Sequence, residues 1–261
     1  MSADFTGKTA LITGAGRGIG RAVALGLADA GAGLILIARS ADQLAQTEAL
    51  ARARGAADGR VLIISADLSD ERQHGRAVAV ALEAARVDIL VNNAAMVEPL
   101  GPTAAIPAAE VRRAFELNVV AAAALTAAVL PGMLDAGWGR VVNVSAAIAG
   151  QPGMMPRFNT YAATKAALEA HTVNLAAELR GTGVTVNAYR PGSVDTAMQA
   201  WIREQDPERI GTTAHDWFNR SFAQGVPVTP AQSAEALIAH LSGDETGAIW
   251  NFTPAPATSA G

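Results

Sequence analysis

Hydrophobic residues along this chain follow two alternating spacings. Short runs that are apolar at most positions recur at Lys8–Thr13, Leu34–Ala38, Val61–Ser65, Val87–Asn92, Val141–Ser145 and Val184–Ala188, with a weaker one at Ala248–Phe252. Between them lie longer segments whose apolar residues return every three or four positions, the spacing of an amphipathic helix. These are Gly18–Gly31, Asp70–Arg86, the single long stretch Pro107–Leu134, and Tyr161–Arg180, with another helix opening at the N-cap candidate Ser40. Gly31 and Gly181 are suitable stops, and Pro107 suits a first helical turn. A strand that is apolar throughout needs cover on both faces. The alternation therefore predicts a doubly wound α/β domain, with a parallel sheet of about seven strands between two layers of helices.

Nothing in the pattern divides the chain. Its 261 residues, 50% of them hydrophobic, suffice for one large core, so residues 1–261 are expected to form a single domain. The stretch Ser193–Pro230 breaks the pattern, with Pro207 and Gly211 inside it, and is expected to be a variable loop or lid. The tail from Pro254 is expected to be loosely ordered.

Charge and composition remove several functions. The net charge is −4 with both signs scattered, which argues against a nucleic-acid partner. Cysteine is absent, and His74, His171, His215 and His240 lack metal-ligand spacing, so no metal is expected. No uninterrupted apolar run reaches about 18 residues, and Val119–Leu130 reads as a buried helix rather than a membrane span. The N-terminus lacks signal-peptide order, and a cytoplasmic location is the expectation.

Two features carry chemistry. After the first strand comes Thr13-Gly14-Ala15-Gly16-Arg17-Gly18-Ile19-Gly20, opening a helix. Glycines there let the backbone approach a pyrophosphate at a helix N-terminus, although a tight turn without a ligand would use them too. The second feature is Tyr161 and Lys165, four apart on one helix face. Free tyrosine has a pKa of about 10, and a neighbouring ammonium favours the phenolate. The chain has 18 arginines but only two lysines, Lys8 and Lys165, so a lysine at this spacing stands out. Its compact ammonium fits between a phenol and a ribose hydroxyl better than a planar guanidinium does.

Together, Thr13-Gly14-x-x-x-Gly18-x-Gly20 and Tyr161-x-x-x-Lys165 resemble the short-chain dehydrogenase/reductase family of the classical type, over about residues 7–200. The resemblance implies a Rossmann-like fold and a nicotinamide cofactor lined by Gly14, Gly16, Arg17, Gly18, Ile19 and Gly20. Asp67 and Leu68 are similar to the family's adenine-contacting pair. Asn92-Asn93-Ala94-Ala95 resembles its Asn-Asn-Ala-Gly, with Ala95 in place of glycine. Pro191, Gly192, Val194 and Thr196 match the segment beside the nicotinamide, and Tyr161 and Lys165 touch the cofactor as well.

At the end of the second strand, an acid would bind the ribose 2′-hydroxyl of NAD, whereas an arginine would pair with the 2′-phosphate of NADP. Here Arg39 and Ser40 stand there, and Arg17 lies in the glycine run, so NADP(H) is expected. Ordinary surface charge is the other reading of both arginines.

The resemblance further implies that Tyr161 transfers the proton, Lys165 tunes it, Ser145 polarises the substrate oxygen, and Asn118 completes a water-mediated proton path. Met154, Met155, Met198 and Trp201, with Phe158, Trp217 and Phe218, could wall an apolar pocket for a ketone or alcohol, though core packing uses the same residues. Arg157, Arg190 and Arg203 could meet an anionic group or simply lie at the surface. In the family, helices like Val119–Val129 and Ala162–Ala177 form subunit contacts, so a homotetramer or homodimer is expected. Two alternatives remain: an extended-type nucleotide-sugar epimerase or dehydratase, and a non-catalytic dinucleotide sensor or scaffold.

Overall fold

A computed structural model describes residues 3–54 and 60–253. The tail expected to be loose lies outside them. The strands are β1 (Thr9–Thr13), β2 (Gly33–Ala38), β3 (Val61–Ser65), β4 (Ile89–Asn92), β5 (Gly139–Val144), β6 (Val184–Arg190) and β7 (Ile249–Asn251). All pair in parallel, in the order β3-β2-β1-β4-β5-β6-β7. The helices are α1 (Gly18–Asp29), α2 (Ala41–Ala53), α3 (Glu71–Ala84), α4 (Ala108–Phe115), α5 (Ala121–Asp135), α6 (Asn159–Glu178), α7 (Ala197–Arg203), α8 (Pro207–Ile210), α9 (Thr212–Ala223) and α10 (Pro230–Leu241). This is the doubly wound, Rossmann-like sheet that the hydrophobic pattern predicts.

The strands are apolar throughout because both of their faces are covered. Successive residues of β1 and β2 enter opposite cores. Ile12, Leu34 and Leu36 pack with Val23 and Leu27 of α1 and Leu237 and Leu241 of α10. Leu11, Ile35 and Ile37 lie on the other face, in the core that holds Leu125, Val129 and Met133 of α5 and Leu179 beyond α6. A third cluster, with Val97, Ile148, Phe158, Ile202, Ile210 and Phe218, sits beyond the carboxyl ends of the strands.

Three expectations change. First, Pro107–Leu134 is not one regular helix. A π-helical turn at Glu116–Val120 separates α4 from α5. The buried Asn118 lies in that turn, and its side chain bonds residues outside the helix. The combined stretch Ala108–Asp135 is 28 residues long with a hydropathy of 1.9, so by length and composition it could cross a membrane. In this fold its apolar side covers the sheet.

Second, the insertion is not irregular. Pro207 and Gly211, which look like breakers, organise it: Asp206 caps α8 with Pro207 in its first turn, and Gly211 at φ +88° separates α8 from α9. Third, α10 escapes the periodicity reading. Its start is marked by Thr229-Pro230-x-Gln232, which forms a reciprocal capping box.

The strand order reverses between β1 and β4, so their carboxyl ends diverge and leave a crevice. Its base is stitched closed. Thr13 Oγ1 accepts from the Asn93 and Ala94 amides at 3.0 and 2.9 Å, and Asn93 Nδ2 donates to the Thr13 carbonyl at 2.9 Å. Gly20 packs directly against this stitch. A Cβ there would lie 2.4 Å from the Gly14 oxygen and 2.5 Å from Asn93 Nδ2. Gly20→Ala is therefore expected to destabilise the fold by about 1–3 kcal/mol through overpacking. Urea denaturation measures this, and unchanged stability would mean the turn can shift freely.

Candidate active site

One cavity of about 890 Å³ opens at this crevice, a volume within the range of about 300–1,000 Å³ usual for ligand pockets. It runs from the glycine turn past β4 and β5 to the helices of the insertion. Most of the residues singled out from the sequence meet here.

At one end lie Gly14, Gly16, Arg17, Gly18 and Ile19, together with Arg39 and Ser40 after β2. Gly18 has φ +57°, and a Cβ there would face Thr196 across the cavity at 3.5 Å. Gly20 does not line the cavity; its bare backbone serves close packing instead. Arg21, which sequence reasoning missed, holds the turn from behind. It donates to the Gly16 carbonyl and, at 3.0 Å, to Thr47, whose hydroxyl donates to the Ala15 carbonyl at 3.0 Å. Arg17 and Arg39 are exposed at the rim, and among the described residues neither guanidinium has a hydrogen-bond partner. The cradle, its helix N-terminus and the two arginines fit a phosphorylated dinucleotide.

Asp67, Leu68, Asn93, Ala94, Ala95, Pro191, Gly192, Val194 and Thr196 continue the lining. Burial alone would raise the Asp67 carboxyl. The Ser69 hydroxyl and amide, with the Arg39 and Arg113 charges, outweigh it and hold the carboxyl below its ordinary value. An anionic acceptor is thus maintained beneath Arg39.

Tyr161 and Lys165 line the same cavity. The Lys165 ammonium lies 5.8 Å from the centre of the Tyr161 ring. It is buried and donates to the Val144 carbonyl at 2.7 Å, which ties α6 to the end of β5. The Tyr161 hydroxyl has no hydrogen-bond partner among the described residues, so it is free to meet a substrate oxygen. Its acidity departs from expectation. Burial pushes the phenol up to about 12, opposite to the direction expected from its lysine neighbour. Burial also pushes Lys165 down to about 8, while the Glu169 charge opposes that fall. Desolvation sets both directions here, although Tyr161 keeps part of its surface open to the cavity.

Asn118 and Ser145 are each held by side-chain hydrogen bonds to the protein. Asn118 does not line the cavity. Its Oδ1 accepts from the Met96 amide at 2.9 Å, and its Nδ2 donates to the Met96 carbonyl and to Thr164 Oγ1 at 2.8 and 3.0 Å. The side chain clamps the loop after β4 onto α6. Ser145 lines the cavity, but its hydroxyl donates to Glu169 Oε1 at 2.7 Å, and the residue is 2% exposed. Its one proton is therefore committed elsewhere. Glu169 was missed by sequence reasoning, although its spacing of eight from Tyr161 puts it on the same helix face.

Beyond Tyr161 the wall is apolar: Val97, Ile148, Met154, Met155, Phe158, Met198, Ile202, Trp217 and Phe218. Trp201 is not part of it; it packs in the cluster behind, with the Arg209 guanidinium 5.7 Å from its ring centre. Arg157, Arg190 and Arg203 are also absent from the lining. Arg157 donates to the Glu208 carbonyl, Arg190 pairs with Glu169, and Arg203 covers the Phe222 ring.

Comparison with known proteins follows this geometry. The short chain dehydrogenase family model matches residues 8–207. A ketoacyl reductase, HetN of Nostoc sp., is 35% identical over 96% of this chain and 80% of its own length. L-Sorbose reductase of Gluconobacter frateurii, solved with NADPH and L-sorbose, has a TM-score of 0.84 at 27% identity, covering 97% of this chain and 98% of that one. A NAD⁺-bound xylitol dehydrogenase has a TM-score of 0.81 at 26% identity, covering 96% and 99%.

The lysine shift has a sign for stability. Between pH about 8 and 10.5 the unfolded chain still binds a proton that folded Lys165 has released. Unfolding free energy therefore rises with pH in that window, and the penalty of burying the charge is fully present below it. Lys165→Met removes the group, so urea titrations should show a shallower rise in the variant. Equal slopes in the two proteins would assign the titration elsewhere.

Proposed function

The chain belongs to the short-chain dehydrogenase family and is an oxidoreductase of carbonyl and CH–OH groups, and on that premise we propose that it uses NADP(H) to interconvert a ketone and a secondary alcohol on a small, largely apolar substrate. One observation carries the reading. A tyrosine hydroxyl with no hydrogen-bond partner among the described residues faces a cavity that has two exposed arginines at one end and an uncharged wall at the other.

When bound, the cofactor supplies or accepts hydride at the substrate carbon. The protein's residues handle the oxygen. Tyr161 gives its proton to the oxygen in reduction and takes it back in oxidation. A phenol held near 12 is a reluctant acid, so Tyr161 needs positive charge beside it as the proton leaves. Lys165 stands there, seated on the Val144 carbonyl. Ser145 has a supporting part: with its proton directed to Glu169, it offers the substrate only acceptor capacity.

The cofactor choice rests on Arg17 and Arg39, which lie where the ribose end of a dinucleotide would enter and which suit a phosphate more than a hydroxyl. The substrate class rests on the wall. Of the polar side chains that also line the cavity, Ser193 and Gln199 hydrogen-bond each other at 3.1 Å, which leaves sugar hydroxyls fewer partners.

A panel of alicyclic and aromatic ketones, followed by the absorbance of NADPH, tests the reading directly. Turnover of sugars in preference to these ketones would overturn the substrate class. Tyr161→Phe is expected to keep cofactor binding and lose about 10²–10⁴-fold in kcat, while Ser145→Ala loses less than about tenfold. Comparable losses in the two variants would return the polarising role to Ser145. Arg39→Asp is expected to move the NADP-to-NAD ratio of kcat/KM toward NAD by about tenfold or more. An unmoved ratio would remove Arg39 as the selector.

A further inference from the structure

Behind the catalytic pair lies a second charged pair that the reaction as described does not use. Tyr161, Lys165 and Glu169 stand one helical turn apart along a single face of α6. The Glu169 carboxylate is 7% exposed and accepts three hydrogen bonds. Two come from Arg190 of β6, Nε to Oε1 at 2.7 Å and Nη2 to Oε2 at 2.8 Å, and form a two-pronged ion pair. The third is the Ser145 hydroxyl bond at 2.7 Å.

The Arg190 guanidinium reaches further. A Cβ on Gly150 would lie 2.7 Å from Arg190 Nη2 and 2.9 Å from Nη1, so a side chain there would displace the guanidinium. Gly150 closes the turn after Ala147–Ala149, and Ala147 and Ile148 line the cavity. The pair therefore braces three things at once: the end of β5 at Ser145, the cavity-wall turn at Gly150, and the helix face that carries Lys165.

We propose that Glu169, braced by Arg190, is a positioning residue of the active site, whose buried negative charge keeps Lys165 an ammonium beneath Tyr161 and holds the Ser145 hydroxyl toward α6. Among the described residues, the polar and charged groups that touch Lys165 or its partner Glu169 are these. On its own helix they are Tyr161 and Glu169; from β5 come the Val144 carbonyl and Ser145; from β6 comes Arg190, reached through Glu169. Asn118 bonds the preceding residue, Thr164. Glu169 is the one anion in this set, so a neutral replacement leaves the amine with no opposing charge nearby.

A buried ion pair of this kind need not stabilise the fold, because desolvation offsets much of its attraction. What it can do is fix charge and geometry, and a test must separate that from general support. Loosening the site would admit water and raise the Lys165 midpoint toward its ordinary value. Losing a negative neighbour would lower it. The two causes have opposite signs.

The inference rests on the oxidoreductase reading for what Lys165 does, but it can be measured without turnover. The chain has two lysines, so carbon-13 labelling at Cε gives one signal for Lys165 and one for Lys8. Titrated by NMR, Glu169→Gln is expected to move the Lys165 midpoint down by about one pH unit, with the alkaline limb of reductive kcat/KM moving alongside. The double variant Glu169→Gln with Arg190→Met also removes the Arg190 charge that the single variant leaves without its carboxylate. It should show the same downward direction, and it decides the matter if the single variant does not fold. A midpoint that stays put or rises, in a protein with native near-ultraviolet circular dichroism, would overturn the proposal. Failure of the unaltered protein to turn over any ketone would count against the oxidoreductase reading and leave the lysine result to stand or fall by itself.

Discussion

A single ammonium, buried at the end of β5, sets the terms for the rest of this site. Moving a lysine amine out of water costs several kcal/mol unless other groups replace its solvation. Here the Val144 carbonyl takes one of its protons, and the Glu169 carboxylate supplies opposing charge from one helical turn away. Both partners demand exact seating of α6 against the sheet. The carbonyl is available because it lies at the last residue of β5, where the strand runs out of ladder. Local desolvation thereby becomes a constraint on the packing of the whole helix.

The topology explains why this costly arrangement sits where it does. Strand order reverses between β1 and β4, and the crevice that results cannot be filled by a regular crossover helix. Thr13 and Asn93 close its base by hydrogen bonds, and Gly20 closes its side by having no side chain. The elements that follow each deliver a group to this rim: the glycine turn, the loop after β4, Ser145, and α6. The helices of the insertion add apolar walls from above. Polar groups thus lie at the strand ends, while the apolar wall is shared between the insertion and the segments that follow β4 and β5.

Much of this was legible from the residues. Six of the seven strands stood out because both faces of the sheet are buried, which leaves runs with almost no polar interruption. The Tyr161–Lys165 pair was legible because helix geometry makes spacing four a contact. Other features were not. Asn118 reads as a lone polar residue in an apolar helix, yet it clamps Met96 and lies in a π turn. Trp201 and Trp217 are near neighbours in one segment, and only Trp217 reaches the cavity. The start of α10 was written in Thr229-Pro230-x-Gln232, and Ala234, Leu237, Ile238 and Leu241 return at helical spacing, but the helix follows directly on the broken pattern of the insertion and was passed over.

The sequence by itself determined the layered fold, the order of its elements, a glycine-rich turn after β1 and the placing of Tyr161 one helical turn before Lys165. Each follows from local spacing, which helix and strand periodicity convert directly into faces and contacts. Only the tertiary structure decided which way the Ser145 hydroxyl points, that Glu169 and Arg190 stand behind it, and that burial overrides the lysine in setting the acidity of Tyr161. Those outcomes depend on distances between residues far apart in the chain and on how much water reaches them. Desolvation is a property of the assembled surroundings, and no single stretch of sequence carries it.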